Sequence, residues 1–475
     1  MFGGTKNGFR KERIPRRRSE HPSSHLWIRG LIGVAAAGWA FSPALAEIGL
    51  VEENGVNVSF GLEAAAGYFH TVNTNFGAGR VDLRSGENTG DARWTEGYLK
   101  PSLNAAYGFD RAGKLYGGVT GVGTVTAGDG DAGGYTNSGD DDTDLERLFI
   151  GWNSAQLLSD SLGEDAIDIS YGQQDFQVGD GFLIYDGNTD QFKKGAYWLA
   201  PRDAFKRAGL VRINAQPVRG DLFYLKADSD QDDTELGGVN VEYVAKDFGT
   251  FGVTYLHVLD SARPSNAGAR DGMNVLSLSV SELTPPAVPN LSFWGGYVVE
   301  TGSGRDGKID ADAWYLEARY QFADWPWSPA LSYRYAAFSG ADVDDAKRRD
   351  FDPLFYGASD RGWGTWVQGE ITGNYLLFNS NQRDHMVHLT ASPSERLNLG
   401  LLYYRFFLDK NNYYGTPVSD DHFNDEVNLY ADWTINDYAS LSAVYGVAFP
   451  GAAAEQVFGD DEPYHLLEIA LSLTF

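Results

Sequence analysis

Twelve ionisable residues fall on the polar face of segments in which apolar and polar side chains alternate. The basic ones are Lys100, Arg147, Arg212, Lys226, Arg319 and Arg334, and the acidic ones are Glu96, Asp168, Glu242, Glu317, Asp432 and Glu468. Guanidinium and ammonium groups gathered at one height would attract carboxylates by Coulomb force, and arginine would grip them through paired N–H donors. The same residues can instead pair with one another, as Glu317 and Arg319 allow, and only keep an interior solvated. Alternation assigns them to a face but not to a height.

Other chemistry finds little support. The chain has no Cys, which excludes disulfides, thiolate metal sites and cysteine nucleophiles. Gly302 to Lys308 fits two phosphate-loop patterns, yet Ile309 stands where Ser or Thr is required and a strand follows where a helix is needed, so a flexible loop is expected. His385 and His388 alternate across a strand and do not form a helical zinc pair. The acidic run Asp129, Asp131, Asp140, Asp141, Asp142 and Asp144 has calcium-like oxygens but not the EF-hand spacing, so it reads as a solvated surface loop. No metal or cofactor is expected. A barrel enzyme or adhesin with a closed interior stays open as an alternative, because Ser and His on an outer wall leave no local signature.

The elements that must position these residues are strands. Ile167, Ile169 and Tyr171 alternate with Asp168, Ser170 and Gly172, and the pattern repeats at Trp314–Phe322, Leu276–Ser281 and Glu426–Trp433. About eighteen such segments lie between residues 55 and 475. Short turns around Asp110-Arg111, Gln216, Asp247, Pro285-Pro286, Pro326, Pro393-Ser394 and Asp437 alternate with long polar connections. The expected fold is all-β: a single-chain transmembrane antiparallel β-barrel of about 18 strands, with short periplasmic turns and long extracellular loops. Residues 1–46 read as a cleaved signal peptide, with basic residues from Arg10 to Arg18, an apolar run of about 11 residues and Ala44-Leu45-Ala46 at the cut; crossing a bilayer as a helix takes about 20. Residues 47–475 then form the barrel in the outer membrane, its partners being outer-membrane lipid, the barrel-assembly machinery and, in the periplasm, export partners. His465, Leu467, Ile469, Leu471, Leu473 and Phe475 line one face of the last strand, similar to the terminal signal of outer-membrane proteins. The net charge of -27 argues against binding nucleic acid.

One segment, 339–382, is too long for an ordinary loop. Asp352, Trp363, Trp366 and Tyr375 make it a candidate constriction folded into the pore, the alternative being a structured extracellular lid. Its sequence Phe351-Asp352-Pro353-Leu354-Phe355-Tyr356-Gly357, with Gly369-Glu370-Ile371, Asn374-Tyr375, Asn379-Ser380-Asn381, Pro393 and Tyr403 to Phe407, resembles the C-terminal half of the alginate-export family of outer-membrane porins. Glu146-Arg147-Leu148-Phe149 resembles that family's strand with a pore-facing Arg. Tyr171-Gly172-Gln173-Gln174 and Asp186-Gly187-Asn188 resemble a further segment, with Gln173 where the family usually has Arg. The resemblance implies an 18-stranded barrel exporting an anionic polysaccharide through an Arg-lined pore. A general or substrate-selective uptake porin for small anionic solutes is the alternative, since a passive pore has no direction of its own.

Overall fold

The computed structural model describes residues 48–475 apart from 110–111, 229–232, 263–267, 306, 344 and 358–360. The proposed signal peptide and the Asp110-Arg111 turn lie outside the described residues. Eighteen strands form the wall: β1 (Val56–Val72), β2 (Arg93–Phe109), β3 (Gly113–Gly128), β4 (Asp141–Asn153), β5 (Ile167–Gln174), β6 (Phe205–Ala215), β7 (Val218–Lys226), β8 (Glu235–Ala245) and β9 (Gly249–Asp260) make the first half. The second half is β10 (Met273–Leu283), β11 (Leu291–Gly304), β12 (Gly307–Gln321), β13 (Ala330–Phe338), β14 (Gln382–Ser394), β15 (Leu397–Leu408), β16 (His422–Asn436), β17 (Ala439–Pro450) and β18 (Tyr464–Thr474).

Each strand pairs antiparallel with the next, and β1 closes the ring on β18 from Glu63↔Thr474 to Val72↔His465. Closure is what a strand fold needs in hydrocarbon, where an unpaired backbone group finds no water. Next to the Glu63↔Thr474 pair Leu62 and Phe475 exchange main-chain hydrogen bonds of 2.9 Å, and a leading strand, Ile48–Glu53, continues the ladder on β1. Side chains alternate as the pleat requires. On β12 Trp314 and Leu316 face out and are exposed, while Ala313, Tyr315 and Glu317 face in and are buried. Aromatic pairs ring the periplasmic rim, including Phe322 with Trp325 and Tyr438 with Phe475, as membrane interfaces favour.

Two expectations change. Residues 302–308 are no flexible loop: β11 and β12 continue pairing to Gly304↔Gly307, so this extracellular connection is a tight hairpin, with Asp306 outside the described residues. Its outer strand is braced because Asp310 donates its N–H to Arg348 and Arg348 donates to the Lys308 carbonyl, both at 3.0 Å. The second change concerns Lys226, which belongs to the outer wall. On β7 the buried Phe223 and Leu225 point inward, so Leu222, Tyr224 and Lys226 point out.

Leu222, 61% exposed in the middle of β7, should face acyl chains. Leu222→Arg is expected to destabilise the barrel by about 2–4 kcal/mol in urea unfolding from lipid vesicles. A change below about 0.5 kcal/mol, the scatter of ordinary surface positions, would place this face away from lipid.

Candidate functional site: an occluded lumen

Two extracellular loops fold into the barrel. Loop A, residues 175–204, joins β5 to β6, and loop B, residues 339–381, joins β13 to β14. They are bonded to each other through main chain: Phe355 N–H donates to Leu183 at 2.9 Å, Tyr185 N–H to Phe355 at 2.7 Å and Gly357 N–H to Gly181 at 3.1 Å. The Tyr197 hydroxyl donates to the Asn374 carbonyl at 3.1 Å, and Arg361 of loop B pairs with Asp180 of loop A at 3.0 Å. Apolar packing fills the rest. Trp366 sits 4.4 Å from the Phe182 ring and 4.6 Å from that of Tyr315, in one cluster with Phe338, Phe351 and Phe355. Trp363 and Tyr375 belong to a second cluster with Phe69, Trp94, Tyr197 and Trp198.

A buried loop brings in backbone N–H and C=O groups that must find partners. Here the wall supplies them. Glu96 of β2 accepts the N–H groups of Trp198 and Leu199 on one carboxylate oxygen, each at 3.0 Å. Glu146 of β4 accepts those of Asp203 and Ala204 at 2.8 and 3.0 Å. Glu426 of β16 takes Ile371 and Thr372 at 2.9 and 2.8 Å, capping the π-helical segment Gly369–Leu376 of loop B. Gly369 allows this approach, since its φ is +86° and a Cβ there would lie 2.7 Å from a Glu426 oxygen. Glu300 of β11 accepts Asp352 N–H at 3.0 Å.

The candidate residues separate accordingly. Lys100 donates to the Pro201 carbonyl at 2.5 Å. Arg334 donates to the carbonyls of Thr365 and Gly364 at 2.6 and 2.7 Å, with its guanidinium 4.9 Å from the Trp366 ring centre. Both hold loops. Arg147 is inward but paired with Asp175 at the start of loop A, 2.5 Å away. Arg212 lies 3.7 Å from Asp168, which also accepts the Tyr116 hydroxyl, and Glu242 pairs with Arg219 at 2.6 Å. Asp352 is fully buried between Arg270 and Arg348, at 2.9 and 2.8 Å. Trp363 donates its indole N–H to Asp432 at 2.8 Å, and Glu468 is buried on the inner face of β18. In the acidic loop Asp131 accepts Gly133 N–H at 2.8 Å and Asp140 pairs with Arg84 at 2.7 Å; among the described residues no group of three or more metal-ligating side chains converges.

A further group borders open space. At the periplasmic mouth a cavity of about 930 Å³ is lined by Lys246, Arg319, Asp247, Glu282, Trp294 and Gln321, with both signs of charge on its rim. Above it Arg361 lies 4.6 Å over the Trp294 ring and 2.6 Å from Glu317, which is itself 3.7 Å from Arg334. Arg319, Arg361 and Arg334 thus lead from the vestibule into the plug. Strand parity says nothing about loop residues and so passes over Arg361, whose signal in the sequence is a cation two positions before Trp363 in an aromatic loop.

Glu426→Ala leaves two buried N–H groups without their acceptor. Loss of charge-assisted bonds of about 1.5–3 kcal/mol should speed hydrogen exchange across Gly369–Leu376 by about ten- to a hundredfold. Unchanged exchange there would show that packing alone holds the loop. A pH effect follows from Glu370 of loop B, whose carboxyl is pushed up to about 8 from its ordinary 4.5, first by burial and next by the charge of Glu426. The neutral acid suits the plug, so its contribution is full below 4.5 and is lost as pH rises toward about 8. Exchange in the segment should therefore quicken over that window, and Glu370→Gln should flatten the profile.

The sequence matches the family model Alginate export over residues 123–465. No curated protein matches it. Solved structures of similar fold include OccK5 (OpdH) of Pseudomonas aeruginosa and OccAB2 of Acinetobacter baumannii, each 12% identical with a TM-score of 0.56 over 88% of this chain and 98% of the other. The outer membrane protein OprD of Pseudomonas aeruginosa is 12% identical, with a TM-score of 0.55 over 94% of this chain and 98% of its own. Those identities bear on fold alone, whereas the family match spans most of the chain and the closed barrel gives it its place in the cell. The chain therefore belongs to the alginate export family and is an outer-membrane β-barrel of the channel type.

Proposed function

We propose that this barrel exports an anionic, alginate-like polysaccharide, and that loops A and B must move to let it pass. The observation that carries the reading is the vestibule with its succession of Arg319, Arg361 and Arg334. A polyuronate carries a carboxylate on every sugar, and guanidinium groups spaced along a path offer each one a new planar partner before it leaves the last. Trp294 adds an aromatic face beside Arg361, suited to the apolar side of a sugar ring. Fixed charge in a narrow lumen outweighs the acidic outer loops, whose field is screened within about 8 Å at physiological salt. No catalytic step is part of this reading.

In planar bilayers, replacing residues 340–381 with a short Gly-Ser linker should convert a low-conductance barrel into an open pore that oligouronates block. A pore that opens but ignores oligouronates would speak for passage of small anionic solutes, and a barrel that stays closed would speak for an adhesin or enzyme. In a salt gradient the linker variant should prefer anions, and adding Arg319→Ser should move the reversal potential toward cations. Cation preference before that change would remove the case for an anionic polymer.

A further inference from the structure

We propose that the outer wall at β6 and β7 carries a binding site for the phosphorylated headgroup of an outer-leaflet glycolipid, formed by Lys206, Arg207 and Lys226. The first observation is a β-bulge. Gly172 pairs with Ala208 and Gln174 with Phe205, so Lys206 and Arg207 together oppose the single residue Gln173. Phe205 and Ala208 on either side are fully buried, while Lys206 and Arg207 are both exposed. The extra residue thus turns two successive cations to the outside where a regular strand would show one.

The second observation is the neighbour. Arg207 is directly opposite Lys226 in the ladder, and Lys226 is on the outward face. Like charges facing each other across a strand pair oppose folding unless something neutralises them. Lys226 has carboxylates of its own, Glu235 at 2.7 Å and Asp233 at 2.9 Å, and Tyr224 donates its hydroxyl to Glu235 at 2.9 Å. Neither Lys206 nor Arg207 has a carboxylate within ion-pair distance among the described residues. Arg383, Lys347 and Arg305 toward the extracellular end are paired, with Asp421 at 2.7 Å, Asp310 at 2.6 Å and Asp271 at 2.8 Å. Around the bulge three cations thus face two carboxylates among the described residues, and Lys206 and Arg207 supply the excess in a chain of net charge -27.

The third observation is height. Along the outward face of β7 the sequence runs Leu222, Tyr224, Lys226, and successive residues on one face are about 7 Å apart. Leucine facing acyl chains, tyrosine at the interface and lysine beyond it place the cations level with headgroups, on the side of the long loops and hence in the outer leaflet. An anion there that is fixed at that depth is a lipid phosphate.

The test is native mass spectrometry of the full barrel in detergent with lipid A, a bis-phosphorylated glucosamine lipid, against its dephosphorylated form. Wild type should retain the phosphorylated lipid preferentially, and Lys206→Ser with Arg207→Ser should weaken that retention by about tenfold, given the strength of cation–headgroup attraction. Arg305→Ser, another cation at the extracellular end, should leave it unchanged. An equal loss in both variants, no preference for the phosphorylated lipid, or complete displacement by millimolar inorganic phosphate would overturn the assignment. Because the double variant lies outside the lumen, its folding is checked independently by retention of the heat-modifiable band.

Discussion

The architecture depends on carboxylates of the wall that accept adjacent backbone N–H groups of the in-folded loops. Glu96, Glu146 and Glu426 each take two, from different points around the barrel. A loop drawn into a lumen loses water at every peptide, and an unsatisfied group there costs more than a good bond gains. Two donors on one carboxyl is a compact answer, because a carboxyl oxygen has lone pairs enough to accept both. Lys100 and Arg334 perform the converse task for carbonyls. Much of the inward charge is thus committed to holding the plug, while Arg319 borders the vestibule.

The strands were legible because lipid outside and polar atoms inside impose a period of two that turns interrupt. The rule failed where the interior is not wet. At the height of loop A the inward side chains of β7 to β11 include Phe223, Leu225, Leu236, Leu256, Val258 and Val298, packed on Phe182, Ile184 and Phe355. Both faces of β7 then read as apolar, parity loses its meaning, and Lys226 was placed on the wrong side. The hairpin at Gly304 was hidden for a related reason, since its glycines and charges suggest a loop while its support comes from Arg348 more than forty residues away.

The candidate site was legible only in part. Length and aromatic content set 339–382 apart in the sequence, and in the structure Trp363, Trp366 and Tyr375 are all buried. What each charged residue does was not readable, because Arg334 as a carbonyl donor and Arg319 as a vestibule cation have identical strand signatures. Their difference arises from which loop residue lies across the lumen, and that is decided by pairing between segments more than 150 positions apart, such as Arg361 with Asp180.

The short main-chain ladder between loops A and B has a mechanical meaning. Four hydrogen bonds join Gly181 to Asp186 with Phe355 to Gly357, so the loops share a seam besides their separate moorings on the wall. Two independent flaps would yield one after the other and leave a graded series of apertures. Flaps stitched along a seam must either part together or travel as one lever, so a force on one end of the stitch is felt across the full width of the barrel.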